Sequence, residues 1–196
     1  MEKQTDTQNL DCETFLRRRI IDLCAPVLAG LKPAALISFN QEHRHLNLVW
    51  NRNQDIFEKQ ILLPRLKFFE LRKNPRETLV LFYHPPYLAK VLEAPPNRLF
   101  LNSFGYHSLN FYDSLTRIQS RFQSGCPHEI GIFLGIPLWD VAGFISNQGR
   151  NYLFNGYWKV YRHPDEAVQT FLLYDQARRE VARMCGTRIC GGRTYN

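Results

Sequence analysis

KFFELRKNPRETLVLFY, residues 67–83, reads as two extended runs joined by a turn. Lys67–Arg72 and Glu77–Tyr83 are rich in the aromatic and aliphatic residues that suit a pleated surface. Between them, Lys73-Asn74-Pro75-Arg76 has turn chemistry, so an antiparallel hairpin is expected. Upstream, Ala34–Phe39 (AALISF) reads as a short buried strand. Before it, Phe15, Leu16, Ile20, Leu23, Cys24, Val27 and Leu28 share one helical face, predicting a helix over Glu13–Leu28. Pro26 kinks or ends that helix, Gly30 stops it, and Lys32-Pro33 opens an extended segment. A second helix is expected over residues 46–63.

Downstream, His84-Pro85-Pro86 ends the second strand of the hairpin, and a short helix follows over Tyr87–Glu93. Pro95-Pro96 is read as an internal loop. The next helix runs from about Ser108 to Phe122 on an apolar stripe of Leu109, Tyr112, Leu115, Ile118 and Phe122. Residues 126–145, CPHEIGIFLGIPLWDVAGFI, read as two short helices joined by a tight Gly-Ile-Pro turn. Pro127 suits the first helical position, Gly135 the residue just past a helix end, and Pro137 the first turn of the second helix. A strand over Ile130–Leu134 is the alternative. Tyr157–Tyr161 (YWKVY) alternates as a strand, and a last helix begins at Pro164 or Asp165.

These elements predict an α/β (α+β) fold: a single domain with a small mixed sheet that contains the hairpin, covered by several helices. Residues 1–11 form a mobile N-terminal lead, 12–184 the domain, and 185–196 a flexible tail containing glycines and cysteines. With 196 residues and 44% hydrophobic content, the chain can bury one sizeable core.

The formal charge of +7 weakly favours anionic partners. The basic residues are spread along the chain and no familiar nucleic-acid motif accompanies them, so nucleic acid ranks third among the partners considered. The polar start MEKQTDTQNL lacks an apolar signal region, and no apolar run approaches the roughly 18–20 residues of a membrane span. The expectation is a soluble cytoplasmic protein without membrane insertion. Its five cysteines, Cys12, Cys24, Cys126, Cys185 and Cys190, are then reduced.

Three blocks, CAPVLAGLKPAALISF (Cys24–Phe39), CPHEIGIFLGIPLWDVAGFI (Cys126–Ile145) and NGYWKVY (Asn155–Tyr161), together resemble the bacterial family called domain of unknown function 3793. The resemblance covers roughly residues 13–183 and departs from the family pattern at Ile136 and Trp139. It implies a prokaryotic cytosolic protein and carries over no activity or catalytic residue.

The residues themselves supply the site candidates. With Pro127 as first helical residue, Cys126 becomes the N-cap, where unpaired N–H groups and the helix dipole favour thiolate. His128 then offers a base or a ligand, and Glu129 suits the same dipole. Cys126, His128 and Glu129 are the catalytic candidates, although no reaction is indicated. The plainer reading is a buried cysteine in a helix cap. Cys24, Cys126 and His128 are weak metal candidates for haem, iron or zinc, without a supporting motif. Lys32 and Lys159 could hold an anion with the helix start at Cys126, or Lys159 could face water from a strand's outer side. Tyr157, in the aromatic cluster Tyr152, Phe154, Tyr157, Trp158 and Tyr161, could stack a planar ligand or simply pack. The leading expectation is a small-ligand or redox-cofactor protein with its site near Cys126-His128. The alternative is a protein–protein interaction module.

Overall fold

The structure, a computed structural model, describes residues 2–40, 46–60, 66–107 and 110–184. Residues 67–83 form the expected hairpin from β2 (Lys67–Lys73) and β3 (Glu77–Tyr83), paired antiparallel. Asn74 makes the turn: its N–H donates to Glu77 O at 2.9 Å, and its Oδ1 accepts the N–H groups of Arg76 and Glu77. Glu70 opposes Val80 but Arg72 opposes Leu79, so Leu71 is the extra residue of a β-bulge. Strand β1 (Ala34–Asn40) pairs antiparallel with the other edge of β3, giving the order β1-β3-β2. The sheet, expected to be mixed, is antiparallel in both pairings. Every residue of β3 from Thr78 to Tyr83 is buried, because helices cover both faces.

On one face, Ala35, Ile37, Phe39, Val80 and Phe82 pack against α1 (Glu2–Leu28) and α2 (Leu46–Gln60). Trp50 stacks on Phe39 with centroids 4.8 Å apart and donates its Nε1–H to Glu70. Asn47 clamps the hairpin: it accepts from Thr78 Oγ1 at 2.6 Å and donates to the carbonyls of Asn74 and Pro75. The α1 backbone is helical from Glu2, so it takes in residues 2–11 that were read as a lead. Pro26 lies inside α1, two residues from its end.

On the other face, Ala34, Leu79, Leu81 and Tyr83 meet α3 (Pro85–Glu93), α4 (Pro95–Asn102), α5 (Phe111–Phe122), α6 (Ile130–Phe133) and α7 (Leu138–Ser146). Pro95-Pro96 begins α4 and is not a loop. Proline removes only N–H groups that a helix start leaves unbonded anyway. Asn110 caps α5, its side chain accepting from the Tyr112 N–H. The Tyr157–Tyr161 segment shortens to β5 (Lys159–Val160), which pairs with β4 (Phe154–Asn155) in a separate two-stranded ribbon. Helix α8 (Pro164–Met184) packs Phe171 and Tyr174 against this ribbon. Arg178 of α8 reaches Asp22 of α1 in two hydrogen bonds of 3.1 and 2.6 Å. Expectations for residues 61–63, Ser108, Leu109 and the tail with Cys185 and Cys190 lie outside the described residues. Among the described residues, no helix is long and apolar enough to cross a membrane.

Candidate functional site

The expected helix start at Cys126 is displaced. Single turns closed by Ile130 N–H to Pro127 O, Gly131 N–H to His128 O and Ile132 N–H to Glu129 O lead into α6, which has only four residues. Cys126 therefore precedes the helix and does not cap it. Its side chain is exposed. Desolvation pushes the thiol up, Arg72 opposes that shift and Glu129 adds to it, so the expected thiolate stabilisation is not realised. Cys126 shares a polar recess with Arg117, Ser120 and Arg121. Both arginines are engaged: Arg117 donates to Phe104 O at 2.9 Å, and Arg121 is ion-paired with Glu129. Glu129 is 1% exposed and also accepts from the Tyr106 hydroxyl at 3.2 Å. Its carboxylate is committed to holding α5 against the segment before α6.

His128 belongs to a different place, a cavity of about 300 Å³ between α6, α7 and the β4–β5 ribbon. Ile130, Leu134, Ile136, Val141, Phe144 and Trp158 form its apolar wall. Gly131 lets α6 approach α7 closely, since a Cβ there would stand 2.7 Å from Val141 Cγ2. The polar lining is His128, Asp140, Asn155 and Lys159. The His128 ring meets Phe144 edge-on at 4.9 Å. Lys159 donates to Gly149 O at 2.7 Å and lies 4.9 Å from the Tyr152 centroid and 5.7 Å from that of Phe144. Its ammonium is held by one carbonyl and two ring faces, beside the cavity.

Asp140 is a residue the sequence reading missed. It is 2% exposed and accepts three hydrogen bonds: Trp158 Nε1 at 2.7 Å, Tyr161 N at 2.7 Å and Arg162 N at 3.1 Å. The available signal was a lone carboxylate inside the apolar run LWDVAGFI, residues 138–145.

The other candidates lie elsewhere. Tyr157 donates its hydroxyl to Asp175 Oδ1 at 2.7 Å and packs its ring on Phe171 and Tyr174. Cys24 is fully buried in the layer of α1 and α2, and burial pushes its thiol up. Cys126 borders α5 on the opposite side of the sheet, so the two thiols do not converge. Lys32 is half-buried with Nζ 5.5 Å from the Tyr174 centroid. Desolvation lowers its amine to about 8. Among the described residues no group of three His, Cys, Asp or Glu side chains is placed to hold a metal ion.

A family model described as protein of unknown function (DUF3793) matches residues 20–189. No curated protein and no solved structure matches the chain.

Proposed function

The chain belongs to the DUF3793 family of proteins of unknown function, and from that premise we propose that it binds a small, largely apolar anion in the cavity between α6, α7 and β5. The carrying observation is the cavity itself: about 300 Å³ with an apolar wall and Lys159 and His128 at its polar edge. Small-molecule sites have this make-up, a mostly apolar concavity of roughly 300–1,000 Å³ with a few placed polar groups. The charge at the edge favours an anion. Asp140 already accepts three N–H donors and is not available to a cation. Lys159 gives one N–H to Gly149 O and keeps its charge at the cavity. An aromatic or aliphatic carboxylate matches both halves of this surface.

Titration with naphthoate and decanoate, followed by protein fluorescence and calorimetry, tests the reading. Saturable one-site binding is expected. Lys159→Met should weaken it about tenfold, the equivalent of roughly 1.4 kcal/mol. Leu134→Trp, which fills the cavity from its wall, should abolish binding while leaving cooperative unfolding intact. Failure of both ligands to bind, or equal binding by the native chain and both variants, would exclude this site.

A further inference from the structure

The polar recess beside Cys126 has a volume of about 340 Å³ and lies at the end of α5. Arg117 and Arg121 line it from positions four apart on that helix, so they share one helical face. Both guanidiniums are held by one edge. Arg117 gives Nε and Nη2 to Phe104 O, at 3.3 and 2.9 Å. Gly105, at φ +86°, makes room for it, since a Cβ there would stand 2.6 Å from Arg117 Nη2. Arg121 gives the same two nitrogens to the carboxylate of Glu129, and its guanidinium lies 5.4 Å from the Phe104 ring centroid. Glu129 is buried and does not line the recess, whereas Arg121 does. The Phe104-Gly105 pair therefore positions both cations before any ligand arrives. Among the described residues, Nη1 of each arginine has no hydrogen-bond partner. The same is true of the hydroxyls of Ser120 and Ser124 and the N–H groups of Gly125 and Cys126, all from residues of the recess wall.

We propose that this recess is a binding site for a phosphate group, free or carried on a small polar ester. A guanidinium presents N–H donors in a planar fork that matches phosphate oxygens, and charge-assisted bonds of this kind are the strong ones. Arginines already held at one edge lose little side-chain freedom when the other edge is bound. The charge balance favours an anion. Two guanidiniums against the one carboxylate of Glu129 leave a net positive charge, which outweighs the roughly half elementary charge at the carbonyl end of α5. The body of the ligand is polar and small. No aromatic ring lines the recess to stack a base, and the serine hydroxyls suit a hydroxylated carbon chain. The recess shares no lining residue with the α6–α7 cavity, whose wall is apolar and whose cation is Lys159.

The test is calorimetric titration of the intact chain with glycerol 3-phosphate and with inorganic phosphate at low ionic strength, with glycerol as the neutral control. Alkylation of Cys126 by iodoacetamide is followed in parallel by peptide mass mapping. One-site binding is expected, and Cys126 alkylation should slow in step with the isotherm because the ligand occupies the space beside the thiol. Arg117→Gln should weaken binding about tenfold. Ser124→Glu, which puts a carboxylate into the recess, should abolish it. Both positions are exposed, so both variants should unfold as cooperatively as the native chain. Lys159→Met should bind phosphate like the native chain, and decanoate should leave Cys126 alkylation unchanged, which separates this site from the α6–α7 cavity. Tighter binding of glycerol 3-phosphate identifies the ester as the source of the group, and equal or tighter binding of inorganic phosphate identifies the free ion. Absence of saturable binding by both phosphates overturns the proposal. So does equal protection of Cys126 by potassium chloride at matched ionic strength, native-like binding by the Arg117→Gln and Ser124→Glu chains, or loss of binding in Lys159→Met.

Discussion

Asp140 joins α7 to β5 because its two oxygens receive one indole and two backbone N–H groups. A buried carboxylate is tolerable only with such donors, and charge-assisted bonds of this kind are about twice as strong as neutral ones. Asp140→Ala leaves the buried Trp158 indole and two part-buried backbone N–H groups unpaired and should lower stability by about 2–3 kcal/mol in urea unfolding. Asp140→Asn keeps one good acceptor, and its loss should be smaller. Glu129 obeys the same logic. Glu129→Ala removes the acceptor of the part-exposed Arg121 guanidinium and of the Tyr106 hydroxyl, with an expected loss of about 1–2 kcal/mol. An unchanged urea midpoint would show that the Arg121–Glu129 pair does not hold α5 in place. From the sequence, Glu129 read as a catalytic candidate or a capping residue. Its partners come from α5 and from the segment before it, 8 and 23 residues away. Nothing in the local pattern announces them. His128 and Lys159 were legible as polar groups in apolar surroundings, but not as lining one cavity.

Two helix ends share one device. After α1, Gly30 takes φ +70° and its neighbour bonds back to Pro26. After α6, Gly135 takes φ +77° and Ile136 bonds back to Gly131 at 2.9 Å. Both are Schellman ends, and both glycines were readable as helix stops. Their surroundings separate them. A Cβ at Gly30 meets nothing within 4 Å, whereas one at Gly135 would stand 2.5 Å from Pro33 Cδ. Gly30→Ala should therefore cost about 1 kcal/mol, the price of a left-handed conformation alone. Gly135→Ala should cost about 2–4 kcal/mol, since overpacking adds to it and the Lys32-Pro33 link must shift. Chemical denaturation of both variants checks the order, and equal losses would mean that Pro33 yields freely. Elements whose signal is local came through in this way: the hairpin turn at Asn74, the start of α8 and the short helix after His84. The short α6 did not, because Cys126-Pro127 resembles a helix start while the backbone there forms single turns first.

Across the molecule, α8 returns to α1 and closes the layer beside Lys32. The resulting desolvation gives stability a pH dependence of definite sign. Below about pH 8 both folded and unfolded chains carry the Lys32 proton, and the folded state bears the full cost of the ammonium. Above it the folded amine deprotonates first, so this contribution to stability rises with pH until the unfolded amine titrates near 10.5. Lys32→Met should be the more stable chain at pH 7, by on the order of 1 kcal/mol because the side chain keeps some contact with water. That advantage should shrink steadily between pH 8 and 10. Urea midpoints of the two chains measured in parallel over pH 7–10 follow it, because titration of the tyrosines is common to both and the Cys24 thiol, pushed up by burial, stays protonated over this range.

Turn residues, helix stops and the apolar runs of β1 and β3 act within a few positions of themselves, through φ preferences, capping bonds and periodicity. They can therefore be read along the chain, and the α/β class follows from them. The pairing of β1 with β3, the separation of Cys24 from Cys126 by the sheet, the cavity shared by His128 and Lys159, and the isolated Lys32 amine belong to the packed chain alone. Each depends on residues tens of positions apart being brought together by burial of apolar faces, and on which polar groups that burial leaves paired.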